Sequence, residues 1–398
     1  MVKVLVVGQT PPPYLGQPIM LQRLLESNMA DVEFLHVGTR LSTDSNEVGR
    51  FRVAKVLTLL PIIARIWWAR LVHGVKVLYY PPAGPIRVTM FRDFAILLPT
   101  RWLFSKTIFH FHASGISEIY ERLPAWQRWL FRCAYYHPAA GVRLSETTPD
   151  DARRLRAKCE YVIPYGIDDP CPAGPRTDLS PVTAERPLRI LFVAMLRESK
   201  GLLVLIEAAA HLAARGVPFQ FEVMGQFITP EFGERVQKRV EELGLQEKVK
   251  FLGMLTGDEK FAAYARADVF SLPTFYESEA FPVVLLEALA NGLPIVSTRW
   301  RGIPSLVDDG ETGFLVETHD PEAVAARLSQ LAGDTSLRVS MARAARRRFL
   351  EDYTLSTHIA RMREMFLEVS GETRRASDEP QTCPQEVRET EAEVEALT

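Results

Sequence analysis

Four cysteines in 398 residues, Cys133, Cys159, Cys171 and Cys383, are too few and too scattered for a disulfide framework. None forms a C-x-x-C pair, so no structural zinc site is expected, and reduced thiols in a cytoplasmic protein are the plain expectation. Long apolar runs are also missing. The longest candidate, residues 56–72, is broken by Pro61, Arg65 and Arg70, so no transmembrane helix is expected. Residues 1–8 (MVKVLVVG) have neither the long apolar stretch nor the cleavage site of a signal peptide, and read as a strand ending in glycine. No D-x-D triplet occurs, since Asp150-Asp151, Asp168-Asp169 and Asp308-Asp309 are adjacent pairs. A net charge of −2 gives no reason to expect a nucleic-acid partner.

What is present is ordinary globular protein, 47% apolar and 24% charged, at a length that suits two domains. The charge is divided unevenly. Through residue 180 there are 22 Lys and Arg against 15 Asp and Glu, or +7, which leaves −9 for the remainder. Apolar strand patterns recur at 2–8, 32–38, 75–81, 107–113, 139–145 and 159–168, and again at 188–194, 219–225, 249–253, 268–273, 293–298 and 313–317. Helical patterns separate them, so two doubly wound parallel sheets are predicted, with ligands in a cleft at the strands' carboxyl ends. The expected organisation is a first domain over 1–170, a linker rich in Pro, Gly and Asp over 171–186, and a second domain over 187–354. A helix over 355–368 and an acidic, disordered tail over 369–398 follow.

The densest signal is Pro273 to Ile303, PTFYESEAFPVVLLEALANGLPIVSTRWRGI. A strand precedes a polar turn, Pro282 suits the first turn of a helix, and Asn291-Gly292 is a helix stop. Glu279 then lies in the loop and Glu287 on the helix, two acceptor-only groups able to grip pairs of hydroxyls. An arbitrary E-x7-E is usually two solvated glutamates. The neighbours decide otherwise: Glu279, Phe281, Pro282, Glu287, Ala288, Ala290, Gly292, Pro294 and Val296 together resemble the donor-binding motif of retaining GT-B glycosyltransferases. The chain is most similar to glycosyltransferase family 4, in its bacterial exopolysaccharide and lipopolysaccharide branch, and is expected to adopt the two-domain GT-B fold. Ala280 stands where glycine is usual, a departure that keeps a small residue.

The resemblance implies roles for further residues. Gly16, before a helix and after the first strand, matches the glycine loop that approaches the diphosphate, as helix N-termini favour anions. Residues 194–201 (AMLRESKG) resemble the family's G-R-L-x-x-E-K-G, with Lys200 matching the lysine against the departing diphosphate. Met195 replaces the usual arginine, and Arg197 can supply that charge. His112 matches the histidine near the sugar 6-hydroxyl, and His110 shares its face. Glu279 would hold the sugar's 3- and 4-hydroxyls and Glu287 the ribose, with Ala280, Phe281, Pro282 and Val283 completing the donor loop.

The implied reaction is same-face transfer from a UDP- or GDP-sugar, with no cofactor and no metal, because Lys200, Arg197 and helix termini offset the diphosphate. The implied acceptor is a saccharide or a polyprenyl- or lipid-linked one. Residues 50–70 and 126–132, which mix Arg with Trp, Phe and Leu, suit peripheral contact with anionic lipid. The alternatives are a soluble transferase acting on a small metabolite and a catalytically silent nucleotide-sugar-binding homologue. A nucleotide-sugar 2-epimerase would lack the E-x7-E motif.

Overall fold

A computed structural model describes residues 1–12, 16–39, 59–172, 174–175 and 179–372. The expectations for Pro13 to Leu15, for 50–58 and for the acidic tail beyond Glu372 lie outside the described residues. All twelve expected strands form. The first sheet contains β1 (Val2–Gly8), β2 (Val32–Gly38), β3 (Val77–Tyr80), β4 (Lys106–Phe111), β5 (Ala140–Arg143) and β6 (Cys159–Val162), ordered β2-β1-β3-β4-β5-β6. The second contains β7 (Leu188–Val193), β8 (Phe219–Met224), β9 (Val249–Gly253), β10 (Val269–Leu272), β11 (Ile295–Thr298) and β12 (Gly313–Val316), ordered β12-β11-β10-β7-β8-β9. Every pairing is parallel, so all carboxyl ends of a sheet share one edge. Several strands are shorter than their apolar runs. The run 159–168 stops pairing at Val162, because Pro164 has no N–H to offer a ladder.

Parallel strands buried on both faces need apolar residues without alternation, which is how β1 reads, with every residue after Lys3 buried. The second domain's core also takes in Met20, Leu144 and Tyr165 from the first, so the two domains share packing along the cleft. After the second domain the chain crosses back. Met362, Met365, Phe366 and Val369 of the Leu355–Ser370 helix pack with Val2, Val4, Val6 and Tyr79. Two crossings therefore run side by side: Ile167 N–H donates to Tyr353 O at 3.0 Å and Leu355 N–H to Ile167 O at 2.8 Å. Arg346 braces the linker, reaching both carboxylate oxygens of Asp169 at 2.7 and 2.6 Å and Ala290 O at 2.8 Å.

One buried carboxylate organises the first domain below the cleft. Asp93 accepts from Tyr80 Oη at 2.7 Å, Tyr135 Oη at 2.9 Å, Ala83 N–H at 2.7 Å and the Arg92 guanidinium at 2.8 Å. It thereby fixes the turn after β3, whose Gly84 faces Ala113 and Ser278. Asp93→Ala would strand two buried hydroxyls and a cation. The expected loss is about 3 kcal/mol or more of unfolding free energy in urea titrations, with Asp93→Asn intermediate.

Candidate active site

The site grows from the exits of β7 and β10. Gly201, at φ +81°, starts the Leu202–Ala214 helix, and a β-carbon there would lie 2.0 Å from Pro273 O, so only glycine lets the two exits touch. Contact is sealed by the Thr274 hydroxyl, 3.1 Å from both Ser199 O and Glu279 Oε2, and by Phe275 N–H donating to Ser199 O at 2.8 Å. Lys200 Nζ then reaches Glu279 Oε2 at 2.5 Å. Arg197 and Lys200 both lie against the Tyr276 ring, 5.1 and 4.8 Å from its centroid, a cation–π arrangement that gathers two positive charges at one place.

Pro282 occupies the N-cap and the Val283–Ala290 helix begins one residue later, a correction to the expected first-turn position. Its extended backbone turns the preceding residues away from the helix, so Glu279 belongs to the loop alone. The two glutamates hold different partners: Glu287 takes Lys260 on one oxygen and the Tyr264 hydroxyl, at 2.7 Å, on the other. Both are only 6% exposed, which excludes the solvated-surface reading. Gly302 packs so closely that a β-carbon would sit 1.6 Å from Ala280 O, which fixes the loop from behind.

The first domain closes the other side. Gly16 opens the Gly16–Glu26 helix, its β-carbon position 3.9 Å from Val283. Arg301 reaches across the cleft to Glu118 at 3.1 and 3.2 Å. His112 lies one residue beyond β4, and the loop that follows is shaped by buried Asp151, which accepts from Gly115 and Ser117 N–H at 2.8 Å each. His112 Nδ1 is hydrogen-bonded to Tyr165 Oη, and the rings stack 5.5 Å apart. His110 lies on the same face, 4.1 Å ring to ring, its Nδ1 2.5 Å from Tyr79 Oη. Burial pushes His112 down to about 3, with repulsion from His358 adding to it, and pushes His358 to about 4 and His110 well below its usual range. His112 is therefore neutral at physiological pH.

Lys200, Arg197 and Glu279 thus meet at the Tyr276 ring, with Glu287 held separately on the helix that follows, while from the first domain Gly16 approaches Val283 and His112 meets Phe281 through Tyr165. Sequence reading missed Thr274 and Tyr276, which stand inside the quoted motif, and Lys260, Tyr264 and Tyr165, which no local pattern marks. Among the described residues, no group of three or more His, Cys, Asp and Glu could hold a metal ion.

Comparison with known proteins then bears on this site. Residues 178–348 match the family described as glycosyl transferases group 1. That stretch contains Lys200, Glu279 and Glu287. WcaL of Salmonella typhimurium, named for colanic acid biosynthesis, is 38% identical over 172 residues, 42% of each chain. AmsK of Erwinia amylovora, an amylovoran biosynthesis glycosyltransferase, is 37% identical over 166 residues, 40% of each. The chain thus spans less than half the length of the curated relatives it matches. Across 92% of this chain and 99% of the other, the fold is that of Anabaena HepE, solved with UDP and glucose, at 16% identity and a TM-score of 0.66. A Rickettsia africae glycosyltransferase gives 0.67 over 94% and 99% at 18% identity. The fold is the two-domain GT-B arrangement.

The depressed histidines set an acid limit to stability. The unfolded chain binds their protons below about pH 6.5 while the folded chain does not, so stability is full above that pH and lost as pH falls toward about 4. Between pH 7 and pH 5 His112 and His358 should each cost about 2 kcal/mol. Urea titrations at the two pH values check this, and His358→Gln should shrink the difference.

Proposed function

We propose that the chain transfers a sugar from a nucleotide sugar to a saccharide or lipid-linked acceptor, with retained anomeric configuration and no metal. The observation that carries this reading is the buried Lys200–Glu279 contact, with Arg197 on the same Tyr276 ring, inside the stretch matched to glycosyl transferases group 1. Glu279 can turn from Lys200 to the sugar's hydroxyls, leaving the ammonium for the diphosphate, while Glu287 holds the ribose. The bond from the anomeric carbon to the phosphate oxygen breaks, the acceptor oxygen bonds that carbon on the same face, and the acceptor's proton passes to the leaving phosphate. Lys200 and Arg197 stabilise the charge that develops there.

Thermal shift in EDTA should show one of UDP and GDP raising the melting temperature. Glu287→Ala should weaken that nucleotide by roughly ten- to a hundredfold, the loss of charged hydrogen bonds worth about 1.5–3 kcal/mol. Glu279→Ala should keep nucleotide binding and lose transfer. A strict need for magnesium or manganese would refute the metal-free part.

For the acceptor side, the names of WcaL and AmsK favour a cell-surface polysaccharide. Among the described residues no helix is long and apolar enough to cross a membrane. Peripheral attachment is supported by the first domain's surface, where Trp68, Trp102, Trp126 and Trp129 are each more than half exposed beside Arg65 and Arg132. Trp67 and Arg70 are instead engaged, donating to Pro99 O and Leu103 O, so they belong to the packing of that face. Vesicles containing anionic lipid should sediment the protein at low salt and release it at high salt. Replacing the four exposed tryptophans by alanine should abolish sedimentation and spare donor hydrolysis. Sedimentation that is absent, or unchanged in that variant, would favour a soluble acceptor.

A further inference from the structure

Tyr165 lies three residues beyond β6 and meets three parts of the molecule at once. Its hydroxyl bonds His112 Nδ1, its ring meets Phe281 of the donor loop edge-on at 5.9 Å, and its other neighbour is His358, 6.2 Å away. The segment is pinned in place, because His358 Nδ1 donates to Pro164 O at 2.7 Å and a β-carbon on Gly166 would strike Thr354 O at 2.1 Å. The Tyr165 side chain is buried, and burial holds its hydroxyl proton well above the usual range.

The direction of the Tyr165–His112 bond follows from counting orphans. Were Nδ1 to donate, the phenol proton and the Nε2 lone pair would both be left inside without partners. With the phenol donating, only Nε2–H is left over, and Nε2 is indeed buried and unpartnered. One stranded group costs less than two. Tyr79 and His110 repeat the arrangement directly alongside. We infer that Tyr165 is a positioning residue that fixes His112 as an Nε2–H donor at the carboxyl end of β4 and ties that orientation to the donor loop through Phe281. In this tautomer His112 serves neither as base nor as nucleophile. It can only donate, and Nε2–H is sealed from solvent in this structure; resting on the function proposed above, the oxygen that relieves it on binding is one of the donor sugar.

NMR of the full chain with isotope-labelled histidine reads the tautomer directly, the His112 signal being the one lost in His112→Gln. The parent should show neutral Nε2–H at pH 7, and Tyr165→Phe, which keeps the ring and its packing, should show a mixture of tautomers. Tyr165→Phe should also lower the transfer rate about tenfold with nucleotide affinity unchanged, and cost nothing further in a His112→Ala background. Neutral Nδ1–H or imidazolium in the parent, or a Tyr165→Phe variant with parental tautomer and rate, would overturn the inference. A parent that transfers from no nucleotide sugar refutes the function instead, and the tautomer measurement still decides the role of Tyr165.

Discussion

Burying Glu279 and Glu287 removes two carboxylates from water, a cost that only partners at contact distance offset. At Glu279 the partners are Lys200 and Thr274, drawn from the exits of two different strands, and this contact determines how the loops after β7 and β10 meet. Gly201 allows the approach and Tyr276 gathers the cations above it. A charged ligand entering here would exchange one set of partners for another without first having to assemble them. Charges held in place in this way are electrostatically preorganised.

The second constraint is the join between domains. The Leu355–Ser370 helix belongs by sequence to the end of the second domain and by packing to the first, with Phe366 set edge-on to Phe34 and Tyr79. The same helix holds the Pro164–Gly166 segment through His358, so the crossing that ties the halves also sets the surroundings of His112. Arg301–Glu118 and Tyr165–Phe281 add contacts across the cleft.

The strands were legible because parallel strands covered on both faces require nearly unbroken apolar runs, and β1, β3, β7 and β10 have them. The loop and helix bearing Glu279 and Glu287 were legible because the glutamates, proline and glycine fall within one continuous segment. Pro282 was misplaced by a turn position, since a proline's φ suits the N-cap as well as the first turn and only the ψ it adopts separates them.

The sequence by itself determined the two sheets, the loop bearing Glu279, the helix bearing Glu287, and His112 at the end of its strand. All of these follow from local periodicity, turn chemistry and a contiguous motif. The tertiary structure alone decided that Lys260 and Tyr264 meet Glu287, that Tyr276 carries both cations, and that Tyr165 grips His112 from 53 positions away in the chain. Such pairings depend on which strand exits the sheet order brings side by side. No residue's immediate neighbours encode that order, because it is set by the packing of whole elements.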